Sequence, residues 1–355
     1  MARLVLHVGS HKTGTTYLQT LFHQNRSLLE TAGLHYPDIG PNTAHHVLAS
    51  PWLTVHGIPD SFFDDRGPDG LWDDLIARYT NVSGTVFLSG ENFLRCHPET
   101  VDMVDLAQRL SAFEDVQVLY VMRAQTEMIQ ALWLQLAKNG QNVALYNYIR
   151  TVIEQRRGFG VWIDHNAVYD SLLKGFAPEQ IHFMDYGVAR KSAGGIAQQV
   201  LDLLDVDIRV EDLTPPPSAE TNISPDPLGF WIASEIAGPD LPSAALIDAV
   251  TQPLKQTGRP NTLLARYEHV KTTTRYSAAN AKLAKRLQKT QPGFTFQEIT
   301  PPENMIYREE IPNATWLKIT QAAIAVPNKI QHKHTSPWMS AKQRLAHLVR
   351  RADGQ

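Results

Sequence analysis

The amino-acid sequence predicts an α/β fold, in which a doubly wound, mostly parallel sheet is flanked by helices and followed by a helical C-terminal portion. Short apolar runs alternate with helical periodicity over about the first 205 residues, which is typical of βα units. The run Val116–Met122 is apolar at nearly every position, as in a parallel strand covered on both faces. After Pro215–Pro217 the strand signals fade, and helical patterns continue to about residue 289.

Each element is predicted from its local residue types. Apolar and β-branched runs that stop at glycine, proline or a polar residue predict strands, and apolar residues at every third or fourth position predict helices. The predicted strands are Arg3–Val8, Leu34–Tyr36, Thr85–Ser89, Val116–Met122 and Ile181–Met184. The first predicted helix follows the loop Ser10–Gly14 and ends at Gly33, and further helices are predicted at 126–138, 144–156, 161–174 and 192–204.

Composition excludes several classes of protein. A formal net charge of −3 gives no general attraction to nucleic acid, so any anion site must be local. The sequence has no run of about 18 apolar residues, so no membrane span is expected. The apolar run within the first nine residues is too short and too interrupted for a signal peptide. The single cysteine, Cys96, excludes an internal disulfide and favours a reducing, cytoplasmic compartment.

The segment between the first strand and the first helix predicts an anion-binding loop. Such a loop directs free backbone N–H groups and the positive end of the helix toward whatever it encloses. Gly9 and Gly14 permit the backbone to curl closely, and the hydroxyls of Thr15 and Thr16 are expected to bond phosphate or sulfate oxygens. Gly9 and Gly14 keep the spacing of a nucleotide-binding P-loop, but Thr15 stands at its lysine position. The lysine lies inside the loop instead, as Lys12.

The run His11-Lys12-Thr13-Gly14-Thr15-Thr16 after a strand resembles the 5′-phosphosulfate loop of sulfotransferases that use 3′-phosphoadenosine 5′-phosphosulfate (PAPS). Its continuation Tyr17-Leu18-Gln19 is similar to bacterial members of that superfamily. The resemblance implies a P-loop-like fold and in-line transfer of a sulfuryl group from PAPS to a hydroxyl or amine. It also implies that the loop residues 11–16 bind the donor, that Lys12 steadies the leaving phosphate, and that Tyr17 packs on adenine, although Tyr17 could equally be a core residue.

A second block agrees with this resemblance. Arg123 ends the clearest strand and opens a helix, as in the 3′-phosphate block of the family, which carries a serine eight residues on. That position is Ala131 here, so Gln130 or another group would have to replace the missing hydroxyl. The basic, glycine-containing motif that completes this site in animal cytosolic enzymes is not recognisable. Lys282, Lys285 and Arg286 are interpreted as a solvated helix face.

The proton acceptor for the transfer has three candidates. Glu91 follows the strand Thr85–Ser89, where family members often place a glutamate or histidine base, and a carboxylate there would face the strand-end crevice. His11 lies inside the loop and could touch donor or acceptor. His46, in the irregular segment, is the third candidate. No metal is expected, because no His, Cys or Asp group has ligand spacing and His332 and His334 are isolated.

The proposed organisation has one main domain. Residues 1–290 are assigned to a P-loop-like α/β domain with a long irregular segment at 37–70, and residues 291–355 to a C-terminal extension. The basic helix expected at Ser340–Arg351 either packs by its leucines or lies on an anionic membrane or polyanionic acceptor. Expected partners are PAPS and an acceptor such as a glycan, a lipid-linked sugar or a small alcohol. A P-loop nucleotide kinase or NTPase and a non-catalytic nucleotide-binding protein are the alternatives.

Overall fold

The computed structural model describes residues 2–141, 143–217, 225–296 and 300–326. Its strands are β1 (Arg3–His7), β2 (Leu34–His35), β3 (Thr85–Ser89), β4 (Asp115–Met122), β5 (Arg157–Gly158), β6 (Val161–Trp162) and β7 (Ile181–Asp185). Its α-helices are α1 (Thr15–Gln24), α2 (Arg26–Thr31), α3 (Gly67–Tyr79), α4 (Met103–Leu110), α5 (Gln125–Lys138), α6 (Leu145–Gln155), α7 (His165–Leu172), α8 (Tyr186–Ala189), α9 (Gly195–Leu204), α10 (Pro227–Ala237), α11 (Ala244–Lys255), α12 (Arg266–Leu287) and α13 (Asn313–Ala325).

Five strands form one parallel sheet in the order β2-β3-β1-β4-β7. The central strand β1 pairs with β3 on one side and β4 on the other, so that His7 lies opposite both Ser89 and Leu119. The chain therefore proceeds outward in two directions from β1, and the carboxyl end of β1 is the point where open α/β sheets bind ligands. The predicted loop Ser10–Gly14 begins there.

Helices cover both faces of the sheet. One face packs against α3, α4 and α7 through a core that includes Trp72, Leu106 and Leu172. The other packs against α1 and α9, with Leu18 and Leu201 in its core. Because burial of both faces removes apolar surface from water on each side, the strands carry continuous apolar runs. The predicted doubly wound, mostly parallel α/β fold is confirmed.

The C-terminal portion is helical, as predicted. Helices α5, α6, α10 and α12 share a third apolar core, and α10, α11 and α13 share a fourth. The segment around Ile306 and Ile311 also packs into this fourth core, and Thr262 donates a backbone hydrogen bond to the carbonyl of Ile306 at 3.0 Å. The division of the chain at residue 290 stays a prediction.

Three local predictions need correction. The irregular segment 37–70 ends in the first turn of α3, where Pro68 occupies the start of the helix and Trp72 and Leu75 give the buried face. The helix predicted at 161–174 begins only at His165, because residues 161–162 pair with β5. The stretch 290–338 has scattered prolines and no clear period, so its sequence predicts no regular element. Helix α13 nevertheless forms there, and it buries only Thr315 and Ile319.

Some predicted features lie outside the described residues, namely the basic helix at 340–351 and the histidines His332 and His334. Among the described residues, no helix is both long and apolar enough to cross a membrane. The same residues contain no group of three or more His, Cys, Asp or Glu side chains arranged to hold a metal ion.

Candidate functional site

The loop after β1 is bonded to the neighbouring strand β4. The backbone N–H of Ser10 donates to the carbonyl of Val121 at 2.9 Å, and the N–H of Val121 donates to the carbonyl of Gly9 at 2.7 Å. Gly9, Lys12 and Gly14 all have positive φ angles, of 111°, 66° and 77°. These left-handed residues turn the chain back on itself, and two of them are glycines because a Cβ disfavours this conformation. The result is the curled loop that the sequence predicts.

The first turn of α1 carries free N–H groups. Gly14 is the N-cap residue, and no side chain caps this helix end. A helix N-terminus of this kind favours an anion, because unbonded N–H groups and the helix dipole point toward it. The hydroxyl of Thr13 donates to the carbonyl of Ser10 at 2.7 Å and is buried, so Thr13 stabilises the loop with its side chain. Thr16 is exposed on the same turn.

Lys12 has a half-buried side chain whose ammonium makes no hydrogen bond or ion pair within the described ranges. Burial lowers the pKa of Lys12, as do the charges of Lys138 and Arg123, while Glu91 acts in the opposite direction. A cation that is partly removed from water without a partner is unfavourable in isolation. The loop therefore carries a cation without a hydrogen-bond partner among the described residues, beside a helix N-terminus, which is an arrangement suited to binding an anion.

Glu91 lies at the carboxyl end of β3 and faces the loop. The hydroxyl of Thr15 donates to its Oε1 at 2.5 Å, and the other oxygen lies 3.7 Å from His11 Nδ1 and 3.9 Å from His46 Nε2. Burial alone would raise the pKa of Glu91, but the charge of His11 when its ring is protonated, the Thr15 hydrogen bond, and the charges of His46 and His7 when protonated outweigh it and lower the pKa. The carboxyl group is therefore ionised at neutral pH.

His11 and His46 approach the same carboxylate as neutral imidazoles. Burial lowers the pKa of each histidine, even though the charge of Glu91 opposes that shift. His11 Nε2 and His46 Nδ1 are buried and have no hydrogen-bond partner among the described residues. The structure thus brings together all three residues that the sequence suggests as proton acceptors. One carboxylate and two neutral imidazoles lie beside the loop that follows β1.

His45 explains how the irregular segment reaches this site. Its backbone N–H donates to the carbonyl of Ser89 at 2.8 Å, and its Nδ1 accepts the N–H of Ser89 at 2.8 Å. Its Nε2 then donates to the carbonyl of Pro37 at 2.7 Å, since Nδ1 is the acceptor. His45 therefore fixes segment 37–49 to the end of β3 and places His46 next to Glu91. Its pKa is lowered to about 4, chiefly by burial.

Arg123 lies at the carboxyl end of β4, on the other side of the loop. Its Nη1 donates to the carbonyl of Lys12 at 2.6 Å, and its Nε donates to Glu127 at 3.0 Å. The carbonyl of Arg123 itself accepts a hydrogen bond from His165 Nε2 at 3.0 Å. The arginine therefore supports the loop backbone, a role for which the sequence gives no signal.

Gln130, the neighbour of position 131, is held by its side-chain amide oxygen. The Oε1 atom of Gln130 accepts hydrogen bonds from the hydroxyl of Thr262 at 3.0 Å and from the N–H of Leu263 at 2.7 Å. Gln130 thus connects α5 to the segment before α12, and its possible role in place of a serine at position 131 stays a prediction. Of the basic residues on α12, Arg286 pairs with Asp170 at 2.6 Å, so this face lies beside α7 rather than the loop.

Two residues near the loop were missed in the sequence, Tyr186 and Arg190. The guanidinium of Arg123 lies 5.5 Å from the centre of the Tyr186 ring, and that of Arg190 lies 5.8 Å from the same ring. Both residues follow β7, whose carboxyl end meets the same sheet edge as β4. The sequence could have indicated them only by their position after a strand, because one tyrosine and one arginine around a four-residue helix form no distinctive pattern.

Tyr17 is half-buried and packs against the α1–α9 core.

A separate cavity of about 690 Å³ lies between the first turn of α5 and α12. Its walls include Gln125, Thr126, Thr272, Phe296 and Tyr307, and no loop residue from 9 to 14 lines it. Neither Glu91 nor Arg123 contributes to this cavity. Lys12, Glu91 and Arg123 therefore lie at the carboxyl ends of the strands and not in this cavity.

No protein-family model matches the chain, and no curated protein matches it. Among solved structures, the chain is similar to a sulfotransferase from Alicyclobacillus acidocaldarius. The sequence identity is 17%, the TM-score is 0.40, and the match covers 70% of this chain and 96% of the other. At this level of likeness, the function of the chain has to be argued from its own contacts.

Proposed function

We propose that this protein is a sulfotransferase that moves a sulfuryl group from PAPS to a hydroxyl or amine of an acceptor. The single observation that carries the proposal is the position of Lys12. Its ammonium has no partner in the described part of the chain, and it lies inside a glycine-bounded loop at the N-terminus of α1. The family resemblance of residues 11–16 supports the same conclusion.

The loop residues fit the phosphosulfate end of the donor. The uncapped first turn of α1 offers N–H groups to a phosphate, and the exposed hydroxyl of Thr16 can add a hydrogen bond. PAPS supplies a sulfuryl group whose bond to the phosphate oxygen breaks as the acceptor oxygen or nitrogen bonds to sulfur. Negative charge then develops on the phosphate oxygen that leaves. We assign Lys12 to stabilise this oxygen, because a fixed cation stabilises developing charge most strongly where water is partly excluded.

Glu91 is assigned as the proton acceptor. It is ionised, it lies at the strand end that faces the loop, and 13% of its side chain is exposed. His11 and His46 remain candidates, because each has a neutral ring close to the same carboxylate. The transferred proton leaves the acceptor hydroxyl and goes to one of these three groups, so that the oxygen can attack without carrying a positive charge.

The kinase or NTPase alternative fits the loop less well. In that chemistry the loop lysine follows the second glycine, and the next Ser or Thr holds Mg²⁺ together with a strand-end acid. Here Thr15 occupies the lysine position and donates its hydroxyl to Glu91. Thr16, which would hold the metal, is exposed and has no hydrogen bond to that carboxylate among the described contacts.

The first experiment compares ligands by their effect on the melting temperature of the purified protein. Adenosine 3′,5′-bisphosphate (PAP), the product left by PAPS, should stabilise it, since a ligand that binds the folded state raises its stability. ATP with Mg²⁺ should stabilise it less, and EDTA should leave PAP binding unchanged. If EDTA abolishes PAP binding, or if only ATP with Mg²⁺ stabilises, the kinase-like function replaces this one. If neither ligand stabilises, a non-catalytic role is favoured.

The proposed acceptor is a compound that offers a hydroxyl or an amine to the sulfuryl group. A glycan, a lipid-linked sugar or a small alcohol offers the hydroxyl that the reaction needs, and labelled PAPS with a panel of such acceptors identifies it. A cytoplasmic location is proposed with the same function, because one cysteine, Cys96, suits a reducing compartment.

A further inference from the structure

Arg123 and Arg190 share one carboxylate. Glu127 Oε2 accepts a hydrogen bond from Arg123 Nε at 3.0 Å, and Glu127 Oε1 lies 3.5 Å from Arg190 Nη2. The two guanidinium groups also lie over the ring of Tyr186. Two cations from different strand ends therefore converge on a single acidic group.

This arrangement has one negative charge between two guanidinium groups. A guanidinium fork binds carboxylate and phosphate in the same manner, through N–H groups directed at two oxygens. A phosphate monoester carries more charge and more acceptor oxygens than a carboxylate. Such a group would satisfy both arginines better than Glu127 does.

The pair lies on the side of α5 that carries position 131. Glu127 and Ala131 are four residues apart and therefore lie on one face of the helix. Arg123 reaches this face and also donates to the carbonyl of Lys12 in the loop. A ligand that extends from the loop along α5 would meet both arginines, and it would pass Ala131, which offers no hydroxyl.

We propose that Arg190 and Arg123 together bind the 3′-phosphate of the donor, and that Glu127 occupies the place of this phosphate between the two arginines before the donor arrives. This inference rests on the proposed function. Arg190 supplies the contact that a serine at position 131 would otherwise make. Glu127 is displaced from the guanidinium groups, or repels the incoming phosphate, when the donor binds.

Arg190 gives a cleaner test than Arg123. Arg123 supports the loop through the Lys12 carbonyl, so its removal would disturb the whole donor site. Arg190 has 44% of its side chain exposed, and its described side-chain contacts are Glu127 and the Tyr186 ring. Exposed ion pairs contribute little to stability, so Arg190→Ala should fold normally.

The experiment measures binding of PAP and of adenosine 5′-phosphate, which lacks the 3′-phosphate, by calorimetry. Arg190→Ala should weaken PAP binding by about 10- to 100-fold, the usual effect of losing a hydrogen bond to a charged group. Binding of adenosine 5′-phosphate should change less than about twofold. Lys191→Ala is the matched control, because it removes one positive charge from the adjacent exposed position. It should leave both affinities nearly unchanged.

Glu127→Gln should act in the opposite direction. It removes the competing charge and keeps the side chain's size, so PAP should bind more tightly by a few-fold, with adenosine 5′-phosphate unaffected. Opposite signs for Arg190→Ala and Glu127→Gln support the site, since a purely structural ion pair would give the same sign for both.

Four outcomes would overturn the inference. Two concern Arg190→Ala, namely an unchanged affinity for PAP or an equal loss of affinity for PAP and adenosine 5′-phosphate. The other two are a Lys191→Ala effect as large as that of Arg190→Ala, and weaker PAP binding by Glu127→Gln. In these cases wild-type PAP binding still supports the proposed function. If the wild-type protein binds adenosine 5′-phosphate and PAP equally or binds neither, the donor assignment fails together with this site.

Discussion

Replacing Glu91 with glutamine tests the chemistry of the site with little change in shape. The amide oxygen of the introduced glutamine can still accept the hydrogen bond that Thr15 donates to the native carboxylate at 2.5 Å. The variant loses the negative charge beside His11 and His46 and loses the ability to take up a proton at neutral pH. Because a negative charge near an anion site is unfavourable, PAP affinity should stay the same or rise slightly.

The expected rate loss is about 10²- to 10⁴-fold, the usual contribution of a positioned proton acceptor. The expected stability loss is small. A hydrogen bond to a charged acceptor becomes one to a neutral acceptor, which costs about 1 kcal/mol and lowers the melting temperature by about 2 °C. Since the pKa of Glu91 is lowered in the folded state, this contribution is present above about pH 4.3. It is lost as the pH falls through the folded-state pKa, so the stabilities of the two proteins converge in acid.

The pH dependence of kcat/KM identifies the base in the wild-type protein. If Glu91 accepts the proton, the acidic limb should lie below about pH 4.3 and should disappear in Glu91→Gln. If His11 or His46 accepts it, the limb should lie higher, although still below the ordinary histidine value, because burial lowers the pKa of both. Transfer of labelled sulfate at saturating PAPS provides the rates.

An unchanged rate in Glu91→Gln would refute the assignment and transfer the role to a histidine, which alanine variants of His11 and His46 would then distinguish. A rate loss with loss of folding would make Glu91 a structural residue. Glu99→Gln is the control, because Glu99 is an exposed carboxylate eight residues further along that accepts the N–H of Thr54. It should fold and react like the wild-type protein.

Two further predictions concern the loop and the buried histidines. Lys12→Ala should fold normally and lose about two to three orders of magnitude in turnover, because a preorganised cation at developing charge is removed; sulfuryl transfer at a near-normal rate would contradict its role. The pKa values of His45 and His165 are lowered to about 4 by burial, so the unfolded chain binds protons near pH 6.5 while the folded protein does not. The free energy of unfolding should therefore fall between pH 6.5 and pH 4, by up to about 3 kcal/mol per histidine. Urea unfolding at several pH values measures this, and a flat profile would show that these histidines are protonated in the folded state.

Much of the fold follows from local sequence, because the five parallel strands are marked by apolar runs and the loop by its glycines. The meeting of Lys12, Glu91 and Arg123 also follows, since each residue comes soon after one of three adjacent strands. The proximity of His46 to Glu91 could not be derived in this way. It depends on His45 bonding to Ser89, a contact between a segment without periodicity and a distant strand.

Arg190 and α13 were missed for related reasons. Arg190 belongs to the site because β7 pairs with β4, and nothing in its own neighbourhood marks it. Helix α13 makes few buried contacts, so its sequence has little amphipathic pattern. Local patterns thus predicted the five strands of the sheet and several helices, while contacts between distant segments completed the site.

The hydrogen bond between Thr15 and Glu91 has a consequence for the order of events. A hydroxyl has one proton, and it can donate that proton to a single acceptor at a time. If Thr15 turns its hydroxyl toward a phosphate or sulfate oxygen, Glu91 loses the neutral donor that helps to keep its pKa low. The carboxylate then holds a proton more readily. Rotation of the Thr15 hydroxyl would therefore both bind the donor in the loop and make Glu91 a stronger base.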